Sequence, residues 1–407
     1  MSTAGESGLR APHIPVLDGI RGLAILLVMA GHLWVIPATT SLDRGVGMAV
    51  GLGWFGVDLF FVLSGFLISG ILLDARSTPN YFRNFYARRI LRIFPLYYLV
   101  LTVTLVALPR LVSPEQLVHL GRLAGDEAYY WTYLSNFAIA DAGQPRHRVL
   151  DVTWSLAIEE QFYLIWPLVI AYLLRRHLLI LGLVLLALSP ITRVALSVWS
   201  DYTSFSIYVL TPCRLDGLAA GAIIAVLARE ERGLDRFRGV ARAIGFLLLP
   251  LIVGIPVIEE LLTGRSPTGI GFGAVFTTAG YSLLALFFGA VLVLAVTADA
   301  RSTLSAFFRS RLLIVFGKYS YGLYLVHLPV RTVIRDHLFG PAYREPRFRF
   351  PTVLGSEMFG QLAFYVLAAS GSLVVAWTIF HLYEAPFLRL KRRFTATSRS
   401  GSRDPEA

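Results

Sequence analysis

The chain is 407 residues long, 56% hydrophobic and only 15% charged, with a mean hydropathy of +0.64; soluble domains carry about 25% charged residues, so an ordinary soluble protein is excluded. The formal charge of +11 does not point to nucleic acid, because the arginines cluster in short segments beside apolar runs, the pattern of cytoplasmic loops under the positive-inside rule. Cys213 is the single cysteine, which excludes an internal disulfide, a zinc cluster and a CxxC redox motif.

Residues 1–14 lack a secretory signal pattern, and the first apolar run has no small-residue cleavage site, so it reads as an uncleaved span behind a short cytoplasmic tail. Runs of about 20 apolar residues follow in order at 17–37, 50–73, 94–113, 154–174, 178–198, 207–228, 241–258, 271–297, 312–334 and 359–383. A backbone in lipid must satisfy its own hydrogen bonds and no alternating barrel pattern is visible, so these runs are helices. The expected fold is an all-α polytopic membrane protein of about ten transmembrane helices over 15–393, with no soluble domain. Arg83, Arg88, Arg89 and Arg92, then Arg175 and Arg176, the 229–242 arginines, Arg301, Arg309 and Arg311, and finally Lys391, Arg392 and Arg393 fall on one side. This places both termini in the cytoplasm of a cell membrane protein. Arg344, Arg347 and Arg349 in the 339–357 loop run against that orientation or mark an anionic partner there; the inner clusters outweigh them. The longest outer segment, about 110–153, carries Tyr129, Tyr130, Trp131, Asn136, Asp141 and His147. The tail, 394–407, is rich in Ser, Arg and Gly and is expected to be disordered.

Four constellations stand out. Arg21 and His32 share the first span, where an ionisable group costs roughly 3 kcal/mol or more and usually marks a functional site. Eleven residues at about 100° each leave both side chains on one face, about 16 Å apart along the axis. They are expected to point a cation and an imidazole into the same cavity; the plainer alternatives are a snorkelling arginine and an interfacial or core histidine. Before the third span, Arg88 or Arg89 recurs with Arg92 at helical spacing. Such a group is either topogenic or a clamp for the phosphates of a nucleotide-like molecule. Glu159 and Glu160 enter the fourth span side by side, about 100° apart, so one can face a cavity. A glutamate there either pairs or caps, or orients the His32 imidazole. The remaining intramembrane polar residues are Asp58, Ser64, Arg214, Asp216, Lys318, Ser320, Tyr321, His327 and Glu384. Arg214 and Asp216 are expected to neutralise one another.

Leu17-Asp-Gly-Ile-Arg-Gly-Leu-Ala24 followed by Gly56-Val-Asp-Leu-Phe-Phe-Val-Leu-Ser-Gly-Phe66 resembles the opening of the acyltransferase 3 family of integral membrane acyltransferases. Arg89-x-x-Arg92-Ile-Phe-Pro95, Thr153-Trp-Ser-Leu-x-x-Glu-Glu-Gln-Phe-Tyr-Leu164, Ser320-Tyr-Gly-Leu-Tyr-Leu-Val-His-Leu-Pro329 and Glu384-Ala-Pro386 agree in family order, so the resemblance covers about 15–393. It implies a ten-helix domain that takes an acyl group, acetyl by expectation, from cytoplasmic acyl-CoA and delivers it to a hydroxyl outside or within the membrane. The family's arginine-x10-histidine signature maps onto Arg21 and His32, and its RxxR signature onto Arg89 and Arg92. Some members carry an extra esterase-like domain; none is visible in this chain, which would then complete transfer alone or through a partner protein.

The chemistry agrees. Acylating an alcohol needs a base for the hydroxyl proton, and His32 suits that role. Arg21 would stabilise the oxyanion or the CoA moiety, while Arg88, Arg89 and Arg92 hold phosphates and Glu159 and Glu160 support the site. An acyl-histidine intermediate is the less favoured variant. No bound cofactor and no metal are expected, acyl-CoA being a substrate. The expected acceptor is a carbohydrate: surface polysaccharide, peptidoglycan or glycolipid. The alternatives are a macrolide or other glycosylated natural product as acceptor, a transporter of an anionic or glycosylated compound, and a structural envelope component.

Overall fold

The computed structural model describes residues 14–37, 39–113, 121, 125–263, 273–339 and 350–394. Residues 1–13 and 395–407 of the expected tails, and Arg344, Arg347 and Arg349, lie outside the described residues. Among the described residues the regular elements are helices, beside an isolated antiparallel bridge between Val353 and Ser356. The principal ones are α1 (Pro15–His32), α2 (Ser41–Gly51), α3 (Phe55–Ala75), α4 (Tyr81–Leu101), α5 (Thr153–Tyr172), α6 (Arg175–Trp199), α7 (Leu215–Leu227), α8 (Arg238–Thr263), α9 (Tyr281–Val296), α10 (Arg311–Lys318), α11 (Ser320–Phe339) and α12 (Met358–Ile379).

Seven helical stretches among the described residues are long and apolar enough to cross a membrane, and they include α1, α6 and the continuous Ser41–Ala75 and Tyr81–Leu111 segments. The three other expected spans, near 154–174, 207–228 and 312–334, are helical but fall short for a physical reason. α5 carries Glu159 and Glu160, and α11 carries Arg331, Arg335 and Asp336; such groups are tolerated where protein rather than lipid surrounds them. The 207–228 span is broken by a turn at Thr211–Cys213, which leaves α7 with 13 residues. The arginine-rich segment before the third span is no loop. It forms the first turns of α4, which begins at Tyr81.

Small residues bring the central helices together. A Cβ at Gly65 would overlap the Leu218 carbonyl and one at Gly221 the Val62 carbonyl, so α3 and α7 touch backbone to backbone. Gly22 and Gly317 do the same for α1 and α10. Close packing of this kind holds membrane helices together where no hydrophobic effect separates protein from lipid. α1 is thereby walled by protein: Ile20, Ala24, Ile25, Val28 and Met29 are buried.

Candidate active site

A cavity of about 160 Å³ runs between α1, α3, α4, α5 and α11. Its α3 wall extends from Val57 through Phe60, Ser64 and Leu67 to Ile71, a distance of about 21 Å along a helix axis. Ile71 is 40% exposed and stands at the open end, whereas Val57, Ser155 and Tyr324 at the other end are 5–6% exposed. The Tyr324 hydroxyl shares a 2.6 Å hydrogen bond with Ser155 and closes that end.

The polar lining is cationic. Arg21 projects from α1 and Arg89 and Arg92 from α4. Arg21 donates to Asp18 at 2.9 Å. Arg89 lies over the rings of Phe85 and Tyr163 and, like Arg92, makes no ion pair among the described residues. Arg88 is exposed and does not line the cavity, because the turn of α4 that aims Arg89 inward aims its neighbour out. Arg92 also borders a smaller crevice with Lys318, Tyr321 and Glu384, so Glu384 stands just outside the main cavity.

The two glutamates separate. Glu159 lines the cavity and accepts a 3.0 Å hydrogen bond from Tyr163, whose hydroxyl also meets Ser64 in a short contact. Glu160, one residue on, does not line it and lies among Tyr98, Tyr133 and Tyr321. Gln161, the third polar residue of that run, bonds Asn136, Thr211 and the Tyr133 carbonyl and ties α5 to the segment before it and to the turn before α7.

His32 is not in this cavity, contrary to the expectation that it would share one with Arg21. Three turns of α1 carry it past the Tyr324 end, where its ring meets that of His327 edge to edge, nearly coplanar, with centroids 5.1 Å apart. Its partner is also not a glutamate. His32 Nδ1 lies 2.8 Å from His327 Nε2, and His327 Nδ1 lies 2.9 Å from the Leu323 carbonyl. A carbonyl only accepts, so His327 Nδ1 carries a hydrogen and, with both rings neutral, its Nε2 accepts from His32 Nδ1–H. His32 Nε2 is left with a lone pair. The Tyr324 ring, centred 6.1 Å from that of His327, separates this pair from the cavity. Gln361, which no sequence pattern singled out, fastens the end of α1 beside His32 by bonding Val35 N, Ile36 N and the Leu33 carbonyl.

Arg214 and Asp216 do not neutralise one another. Arg214 donates to Asp58 at 2.6 Å and lies over the rings of Tyr281, Tyr208 and Phe61, while Asp216 binds Arg193 at 2.8 Å and Ser282 at 2.7 Å. Arg214 and Asp216 stand at the start of α7, about 200° apart in helical terms, and so face different helices. Arg193 was the missing partner; its signal was a cation inside the 178–198 run.

Beyond the histidine end, the bend before α5 is held by Asp151, which accepts from His147 N at 2.8 Å and Tyr130 Oη at 3.3 Å. Burial raises the Asp151 carboxyl to about 7. His147 Nδ1 accepts from the Val149 and Leu150 amides, and burial lowers this imidazole to about 4. His147 is thus a structural anchor.

A membrane helix bundle with a cationic cavity and an adjacent oriented imidazole is matched by one family model, an acyltransferase domain, over residues 14–381. The chain belongs to the acyltransferase 3 family. It is 27% identical over 80% of its length to the O-acetyltransferase OatA of Staphylococcus aureus, of which 52% is covered. It is 30% identical over 79% of its length to the peptidoglycan O-acetyltransferase OatA of Listeria monocytogenes, of which 50% is covered. The chain spans about half the length of these curated relatives. No solved structure matches it significantly.

Proposed function

We propose that this acyltransferase 3 protein is a membrane O-acetyltransferase that moves an acetyl group from acyl-CoA to a hydroxyl of a carbohydrate. The observation that carries this reading is the cavity itself: long, apolar-walled, cationic toward one end and closed at the other beside an imidazole with a free lone pair. An extended pantetheine arm fits such a space. Arg89 and Arg92, with planar donor forks and no ion pair among the described residues, suit its phosphates. Arg21, about 16 Å from His32 along α1, belongs with the phosphates rather than with the oxyanion.

The acceptor hydroxyl gives its proton to His32 Nε2 and attacks the thioester carbonyl. The new C–O ester bond forms as the C–S bond breaks, and the departing thiolate takes the proton back from the imidazolium. His327 holds the ring and its tautomer throughout, as the orienting member of a catalytic triad does. For the acyl group to reach His32, the Tyr324 side chain must move aside. With the arginine-rich ends of the helices in the cytoplasm, donor and acceptor approach from opposite faces of a cell membrane.

The test uses purified protein in phosphatidylcholine vesicles with acetyl-CoA. CoA release that requires a saccharide acceptor and is lost in His32→Ala supports the reading. Solute movement without CoA release would show a transporter instead. The peptidoglycan named for the Listeria relative is the first acceptor to try.

A further inference from the structure

On the side of the histidine pair away from the cavity lies a second group of cations that the transfer chemistry does not use. Arg331 follows His327 by four residues on α11 and Arg335 follows by four more, so the three form one stripe on one helix face. The charge of Arg331 is felt at both imidazoles. Arg148, on the bend anchored by Asp151, adds a third guanidinium that acts on Arg331 and Arg335. Asp336, paired with Arg335, is the carboxylate acting on this group, and the Tyr365 phenol beside Arg331 is engaged with the Ala30 carbonyl at 2.5 Å. Arg331 has no ion pair among the described residues, and its Nε is buried without a hydrogen-bond partner. Among the described residues three cations meet one carboxylate here, and the buried Nε of Arg331 is left without a partner, an arrangement that is costly unless an anion completes it.

We propose that Arg331, with Arg335 and Arg148, binds the anionic group of the acceptor, so that the substrate is an acidic saccharide. Its carboxylate or phosphate is held one helical turn from the histidine pair while a nearby hydroxyl is offered to His32 Nε2. The assignment of that hydroxyl rests on the acyltransferase reading; the anion site does not.

The experiment measures binding and turnover separately in phosphatidylcholine vesicles. The probes are a glucose disaccharide, the same disaccharide bearing one glucuronic acid, and a phosphate monoester of it. The expected result is at least about tenfold tighter binding of one or both acidic probes, lost in Arg331→Gln and retained in Arg331→Lys, with the acetyl-CoA KM unchanged. Arg148→Gln, an exposed position that leaves folding intact, should weaken the acidic probe alone by about two- to fivefold. Preference for the carboxylate or the phosphate probe identifies the anion. Equal binding of neutral and acidic probes overturns the proposal. So does a response of Arg331→Gln only to added phosphatidylglycerol, which would make this a lipid headgroup contact. Selective acidic binding without CoA release would sustain the anion site and sink the acyltransferase reading; CoA release without selectivity would do the reverse.

Discussion

The Arg214 cluster and the Arg21 cavity are both made of arginines and carboxylates withdrawn from water, yet they are built to opposite ends. Around α7 the charges balance: Arg214 meets Asp58 under aromatic rings, and Arg193 meets Asp216, Ser282 and two backbone carbonyls. All four charged side chains are buried. Along the cavity, Arg89 and Arg92 face one glutamate across open volume and make no ion pair among the described residues. The first arrangement is a lock for packed helices, and the second leaves cations beside open volume, as the proposed donor site requires. Burial of charge therefore does not distinguish structure from function here; the surplus of one sign next to unfilled space does.

That contrast can be broken most directly at the lock. Arg214→Met leaves Asp58 buried and unpaired, a loss of about 3–5 kcal/mol, and thermal unfolding in detergent should show collapse of the folded population. Arg89→Gln should shift the same unfolding curve by less than about 1 kcal/mol. Comparable destabilisation by both would erase the distinction. At the reacting end, His32→Ala should lower acceptor-dependent CoA release by about 10²–10⁴-fold with donor binding intact. His327→Phe, which removes the group that fixes the tautomer, should cost at least about tenfold. A full-rate His327 variant would reduce the histidine pair to packing.

Within the cavity, Arg89→Gln or Arg92→Gln should raise the acyl-CoA KM by about tenfold or more through loss of a charge-assisted hydrogen bond. Acceptor KM should not follow; if it does, donor and acceptor share the space. The smallest effect concerns the bend before α5. The Asp151 carboxyl is raised in the fold, so its contribution is complete at low pH and lost as pH rises through about 7. The His147 imidazole is lowered, so its contribution is present above its ordinary range and lost as pH falls toward about 4. The two slopes oppose each other between these values. The protection factors of the Val149 and Leu150 amides, from hydrogen exchange corrected for the intrinsic rate, should vary little from pH 5 to 7 in the native protein. In His147→Asn, which keeps an acceptor but not the titration, protection should fall as pH rises; a flat profile there would remove Asp151 from the account.

Much of the site was legible because lipid makes polar residues conspicuous. Arg21, His32, Glu159, Arg89 and His327 each stand out in an apolar or helical run, and the geometry brings Arg21, Arg89 and Glu159 to one cavity and His32 to His327. Arg331 was missed although it falls within the 312–334 run, because an arginine so close to the end of a span reads as an interfacial residue. Gln361 was hidden because nothing local predicts that an amide on α12 will close the end of α1.

Composition and hydropathy alone determined that this is a helical, multi-pass membrane protein, since a chain this apolar has to satisfy its backbone within helices. The family motifs came with the sequence as well. Partnership was decided only by the tertiary structure: Arg214 with Asp58 rather than Asp216, and His32 with His327 rather than a glutamate. Helical periodicity fixes which face a residue occupies, but the rotation and depth at which that face meets another helix are set by small-residue contacts such as Gly22 with α10 and Gly65 with α7. Those contacts join residues far apart in the chain, and no spacing within one helix encodes them.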